Sequence, residues 1–272
     1  MIKKRLCVPT LLLLTVFEPA AHAVQLNGLL TIDAGIKANT EVSPGVYANV
    51  YQGGSYFAMN SNNPNGNSVA MLSPGTAGGI QLNTFQNFVT DPDVPHPQGW
   101  KGDINGDGIP DGAAGGEYNA LVSEGSAFSS FKFFGVDTFI GLNPVSYQSG
   151  LSKNAPTLDL VSGSCVNNIC NIAVDLSAWE VYWNGSVFEQ GPRPDNSNPS
   201  FDLAMGTIDT VTGRYTLDWS SQILGGAFNG VMGFWHLEGQ LTSISAVPVP
   251  AAIWLFGSGL IMLFGWSRKK VK

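Results

Sequence analysis

Positive charge, histidine and cysteine are all scarce in this chain: 272 residues carry 13 lysines and arginines, three histidines and three cysteines. Seven of the basic residues sit at the two ends. Between Val24 and Pro250 only Lys37, Lys101, Lys132, Lys153, Arg193 and Arg214 face nineteen carboxylates, a formal charge of −13. Such a surface repels nucleic acid and anionic lipid and attracts divalent cations, so no nucleic-acid partner is expected. His96 and His236 lie outside any H-E-x-x-H or G-x-S-x-G context, and no nucleophile has a base marked beside it. Nothing indicates glycosidase chemistry either, although nineteen acids always allow some carboxylate pair. The reading is of a protein that is not an enzyme. Also missing from this stretch is any run of eleven or more residues with helical i, i+3, i+4 spacing, which excludes a helical bundle.

What is present begins with the ends. Lys3, Lys4 and Arg5 precede an apolar stretch centred on Leu11 to Leu14, then Pro19 and the small-residue pattern Ala21-His22-Ala23. This predicts a secretory signal peptide over 1–23, cleaved after Ala23 and taking Cys7 with it. At the other end Pro250 suits the first turn of a helix, and Ala251 to Trp266 carries no charge. Those residues span roughly 24 Å as a helix, slightly short of the roughly 30 Å hydrocarbon core. Snorkelling basic side chains can cover the deficit. Arg268, Lys269, Lys270 and Lys272 would hold the terminus in the cytoplasm with the body outside.

Between the ends the chain reads as all-β. In Trp179-Glu180-Val181-Tyr182-Trp183 one face carries Trp179, Val181 and Trp183, and Asn184-Gly185 follows as a hairpin signal. Arg214 to Trp219 aligns Tyr215, Leu217 and Trp219; Val231 to Leu241 aligns Val231, Trp235, Leu237 and Leu241 against Phe234, His236 and Glu238. These faces predict an antiparallel β-sandwich or jelly-roll-like body over 24–246, with a division near residues 149–155 as the alternative. Leu26 to Ile36 and Tyr51 to Met59 read as strands, whereas 60–66 and 91–99 read as loop material. Of the rings Trp179, Tyr182, Trp183, Trp219 and Trp235, the inward-facing set is expected to fill the core. A platform for stacking sugar rings is the other use of such rings.

Two motifs carry chemistry. Asp103-Ile104-Asn105-Gly106-Asp107-Gly108-Ile109-Pro110-Asp111 places side-chain oxygens at alternate positions with a glycine for the turn, the pattern of a calcium loop. Asp103, Asn105, Asp107 and Asp111 would bind through side chains and Ile109 through its carbonyl. The twelfth position is Ala114, not a bidentate glutamate, so calcium is expected to bind weakly, at about 10⁻⁴ to 10⁻³ M; a plain acidic turn is the competing reading. Cys165 and Cys170 enclose Val166-Asn167-Asn168-Ile169. That spacing suits a disulfide across a tight turn in an oxidising compartment, at about 2 kcal/mol.

The stretch Val247-Pro248-Val249-Pro250-Ala251-Ala252-Ile253-Trp254-Leu255-Phe256-Gly257-Ser258-Gly259, its apolar continuation and Arg268-Lys269-Lys270 resemble the PEP-CTERM sorting signal of Gram-negative bacteria, in its VPxPAAxWLFGSG form. Val249 stands where the name-giving motif has an acid. The resemblance implies that residues 247–272 are a sorting signal read through Pro248, Pro250, Ala251, Trp254, Gly257 and Gly259. It further implies an exosortase-type processing enzyme as partner, transient membrane anchoring by the C-terminal helix, and delivery to the cell surface or an exopolysaccharide matrix. Leu30 to Gly35, Phe133-Phe134-Gly135 and parts of Met205 to Gly239 are similar to bodies of other proteins with such tails, a family with no agreed activity. The expected role is a structural surface or biofilm-matrix protein. A calcium-dependent carbohydrate-binding module is the alternative.

Overall fold

A computed structural model describes residues 24–87, 89–95, 117–121, 126–146, 148–161, 163–184, 186–193, 202–224 and 226–246. Residues 1–23, read as a signal peptide, the calcium-type loop Asp103 to Asp111, and residues 247–272, read as a sorting signal with a helix, lie outside them.

The described residues form seventeen strands and one short 3-10 turn, Gly226–Phe228. In chain order the strands are β1 Val24–Thr31, β2 Ile36–Ser43, β3 Val46–Gly53, β4 Tyr56–Met59, β5 Val69–Met71, β6 Gly79–Gln81, β7 Val89–Pro95, β8 Glu117–Leu121 and β9 Phe131–Phe133. They continue as β10 Val136–Leu142, β11 Thr157–Leu160, β12 Ile169–Asp175, β13 Trp179–Trp183, β14 Ser186–Glu189, β15 Ala204–Asp209, β16 Arg214–Gln222 and β17 Met232–Ala246. Every ladder between these strands is antiparallel.

The described residues are all-β, as their alternation predicts, but the sandwich is met only in part. The fifteen-residue β17 is long enough to have two partners on one side: β4 along 233–236 and β1 along 241–246. Its other side pairs with β16. Because β1 continues through β11, β12 and β15 back to β16, six strands close into a barrel. Strands β4 and β5 extend from it beside β17, and β6 beside β1. A four-stranded sheet, β14-β13-β10-β9, shares the core with it. Closure requires glycine at one inward position. A Cβ on Gly239 would run into the Thr31 carbonyl, and the Tyr215 hydroxyl donates to that same oxygen at 2.8 Å.

Period-2 alternation is found in β16 and β17. Tyr215, Leu217 and Trp219 of β16, and Trp235, Leu237 and Leu241 of β17, are all buried. The β13–β14 hairpin turns at Asn184, whose φ is 48°, as the Asn-Gly pair predicts. Cys165 and Cys170 are disulfide-bonded, with Asn167 and Asn168 both at positive φ in the turn between them. Residues 60–66 are turns and bends. The expectation for 91–99 is overturned over its first part: residues 89–95 form β7, paired with β8 through a register shift between Asp91 and Pro95. That ribbon has no other strand beside it among the described residues, so its prolines interrupt no central ladder. The β2–β3 hairpin is a further element that the alternation did not announce.

Candidate functional site

The outward face of β16 and β17 gathers the titratable groups. Asp218 lies opposite His236 in the β16–β17 ladder, Tyr56 lies opposite His236 on β4, and Glu238 follows two residues along the same face. His236 Nδ1 is 2.7 Å from Asp218 Oδ1, and Nε2 is 3.0 Å from Glu238 Oε1. The Tyr56 ring stacks on the imidazole with centroids 5.0 Å apart, and its hydroxyl donates to Asn62 Oδ1 at 2.8 Å. Tyr51, at the root of the β2–β3 hairpin, donates to the Gly54 carbonyl at 2.5 Å and stands 3.4 Å from Glu238 Oε1.

Burial opposes the imidazolium, but hydrogen bonds and charge from Asp218 and Glu238 outweigh it, so the His236 pKa is raised above the ordinary histidine value. Burial likewise opposes the Glu238 carboxylate, and bonds from His236 and the Gly54 N–H reverse the balance and lower its pKa. Burial, then the neighbouring carboxylates, raises Tyr51 and Tyr56. An imidazolium donating on both sides has no lone pair with which to accept a proton. The cluster is a clamp joining the hairpin root to the barrel.

The clamp predicts a pH signature. Because the folded pKa of His236 is raised, its stabilising contribution is complete below the unfolded value of about 6.5 and is lost as pH rises through the folded pKa. Glu238 has a lowered pKa, so its contribution is lost only as pH falls through that value. Thermal melting followed from pH 5 to 9 should therefore decline through the histidine titration in the unmodified protein, and His236→Gln should remove that decline.

A second cluster is internal. Glu180 and Glu189 are cross-strand partners in β13 and β14, and both are buried. Lys153 Nζ reaches Glu189 Oε1 at 3.0 Å, Arg193 Nη1 reaches Oε2 at 3.3 Å, and Ser149 Oγ donates to Oε1 at 2.5 Å. Asn143 Nδ2 donates to Glu180 Oε2 at 2.7 Å. Burial opposes the charge on Glu189, yet Ser146, Ser149 and Lys153 hold its pKa below the ordinary carboxylate value. The pair resembles an acid–base couple only in composition, because the side chain of Glu189 is 4% exposed and occupied by two cations. Sequence reasoning missed this group. The available signal was Glu180, set among the apolar residues of β13, and Glu189, closing β14.

The aromatic residues divide in the same manner. Trp179, Trp219, Trp235 and Tyr182 are buried, with the three indoles mutually packed at centroid distances of 4.9, 5.1 and 5.8 Å. Strand β13 is covered on both faces, not on one, so Glu180 and Tyr182 are buried as well. Phe134 is 54% exposed and stacks on Phe228 at 5.5 Å, beside half-buried Trp183.

Among the described residues no group of three or more histidine, cysteine, aspartate or glutamate side chains is placed to hold a metal ion, and no helix is long and apolar enough to cross a membrane. Compared with known proteins, the chain matches no family model, no curated protein and no solved structure.

Proposed function

We propose that the chain is an exported structural protein of the cell surface or of an exopolysaccharide-rich biofilm matrix. An exosortase-type enzyme processes it after transient anchoring by its C-terminal helix, and it binds calcium weakly. One observation supports this reading: among the described residues, the body's reactive groups bond to one another. His236 is bonded at both nitrogens, Glu180 and Glu189 are sealed, and three indoles are packed together. The stacking of the four-stranded sheet on the barrel through Trp179 supports calling that end sandwich-like.

Calcium at Asp103, Asn105, Asp107, Ile109 and Asp111 is testable by melting. At ten times a Kd of about 10⁻⁴ M the ion adds about 1.4 kcal/mol, or roughly 3–5 °C for a body of this size. Asp107→Ala should abolish that increment, and no calcium effect on the unmodified protein contradicts the site. The Phe134, Phe228 and Trp183 rings favour a second reading, a carbohydrate-binding module. It requires saturable polysaccharide affinity that is lost with chelator or with Phe134→Ala, whereas a matrix component keeps its cell-surface association in that variant and loses it with the tail.

A further inference from the structure

A pocket of about 250 Å³ opens where β12 ends. Asp175 closes β12 and Leu203 precedes β15, and the pairing of Val174 with Ala204 sets the two side by side. Residues 151–154 complete the wall. That segment is fixed by the Lys153 N–H, which donates to the Pro144 carbonyl at 2.8 Å, and by the Leu151 carbonyl, which accepts the Ser146 N–H at 2.9 Å. Lys153 lines the pocket too, but its ammonium is committed to Glu189 at 3.0 Å and its side chain is 4% exposed.

The polar groups around this pocket have hydrogen bonds left to make. Asp175 Oδ1 accepts the Ser177 N–H at 2.9 Å and Oδ2 accepts from Asn154 Nδ2 at 3.0 Å, and each oxygen keeps a second lone pair. Asn154 keeps one N–H and its carbonyl oxygen, and exposed Ser152 offers a hydroxyl. Ser177 is only 8% exposed, and its Oγ bonds to nothing among the described residues. A buried hydroxyl left unpaired is costly, and serine turns readily among staggered rotamers, so a ligand in the pocket can claim that bond. Leu151 and Leu203 supply apolar surface at 58% and 48% exposure.

This mixture selects the ligand. A carboxylate or phosphate only accepts, and it would meet Asp175 and a body of −13. An ammonium only donates, and it would leave the Asn154 N–H without an acceptor. Vicinal hydroxyls both donate and accept, and the C–H face of a sugar ring covers the two leucines. Since a cavity of about 150 Å³ holds a benzene ring, this one has room for a single sugar ring. We propose that the pocket binds one uncharged sugar ring of a polysaccharide. The proposal rests on the exopolysaccharide reading only for the source of the sugar, and binding is measured on purified protein, so either can fail alone. Phe134, Phe228 and Trp183 take no part in this pocket.

Saturation-transfer NMR and isothermal titration of the purified full chain test this. The probes are the methyl glycosides of glucose, galactose, mannose, rhamnose and fucose, with glucosamine and glucuronate as charged controls. The expected result is saturable binding of at least one neutral glycoside, weakened roughly tenfold or more by Asp175→Asn and by Asn154→Ala. Asn154 is exposed, so its variant should melt with the parent and keeps the test open if Asp175→Asn fails to fold. No binding of any neutral glycoside would overturn the proposal. Tighter binding of glucosamine than of every neutral glycoside would make this an amine site and would overturn it too. So would binding that survives Asn154→Ala and is lost in Phe134→Ala, which places the sugar on the aromatic patch.

Discussion

Glu189→Ala is expected to lower the unfolding free energy by about 3–5 kcal/mol. The unmodified carboxylate faces Lys153 and Arg193, whose side chains are 4% and 6% exposed. Removing it takes from two buried cations the carboxylate that both of them reach, where little water can enter to compensate. Against a total stability of roughly 5–15 kcal/mol the loss is a large fraction, and the melting temperature should fall by roughly 10 °C. Glu189→Gln keeps the shape and loses the charge, so it should be nearly as damaging. Glu189→Leu combined with Lys153→Met and Arg193→Met removes these three charges together and should recover part of the loss, with Glu180 left on its hydrogen bond from Asn143. The lowered pKa adds a pH test: the Glu189 contribution is complete above the ordinary carboxylate range and disappears as pH falls through the folded value. Acid should therefore destabilise the unmodified protein more steeply than the alanine variant. A single variant that melts within a degree or two of the parent would mean that the charges are solvated.

The second large effect is expected at the centre of the aromatic core. Trp235 is 1% exposed, lies 4.3 Å from the Phe57 ring, and packs on both Trp179 and Trp219. Trp235→Ala should cost about 3–5 kcal/mol in urea unfolding, since a cavity at this junction has walls from both the barrel and the four-stranded sheet and cannot collapse easily. Near-ultraviolet circular dichroism supplies an independent reading. Three indoles within 4.9–5.8 Å of one another should couple strongly, and the variant should lose that signal even where it remains folded. An unchanged spectrum would contradict the packing.

Local chemistry explains which features could be read from sequence. Alternation in β16 and β17, the Asn-Gly turn after β13 and the Cys165–Cys170 pair depend on neighbours a few residues apart, and all are found in the fold; β13, covered on both faces, loses its alternation. Barrel closure is different: it pairs Leu26 with Ala246 and Asn27 with Ser245, and no local pattern encodes a register across so long a separation. The acidic core likewise draws Asn143, Lys153, Glu180, Glu189 and Arg193 from separate segments. The β2–β3 hairpin did leave a trace, Pro44-Gly45, with Gly45 at a φ of 76°, a turn that favours glycine. Its strands escaped notice because their small and polar residues never build a large apolar face.

Everything proposed about destination rests on the two ends being removable addresses, and intact mass spectrometry of the protein recovered from the cell surface tests this most directly. The account predicts a chain that begins at Val24 and lacks Arg268 to Lys272, with the Cys165–Cys170 bond retained. A cytosolic chain still running from Met1 to Lys272 would contradict it.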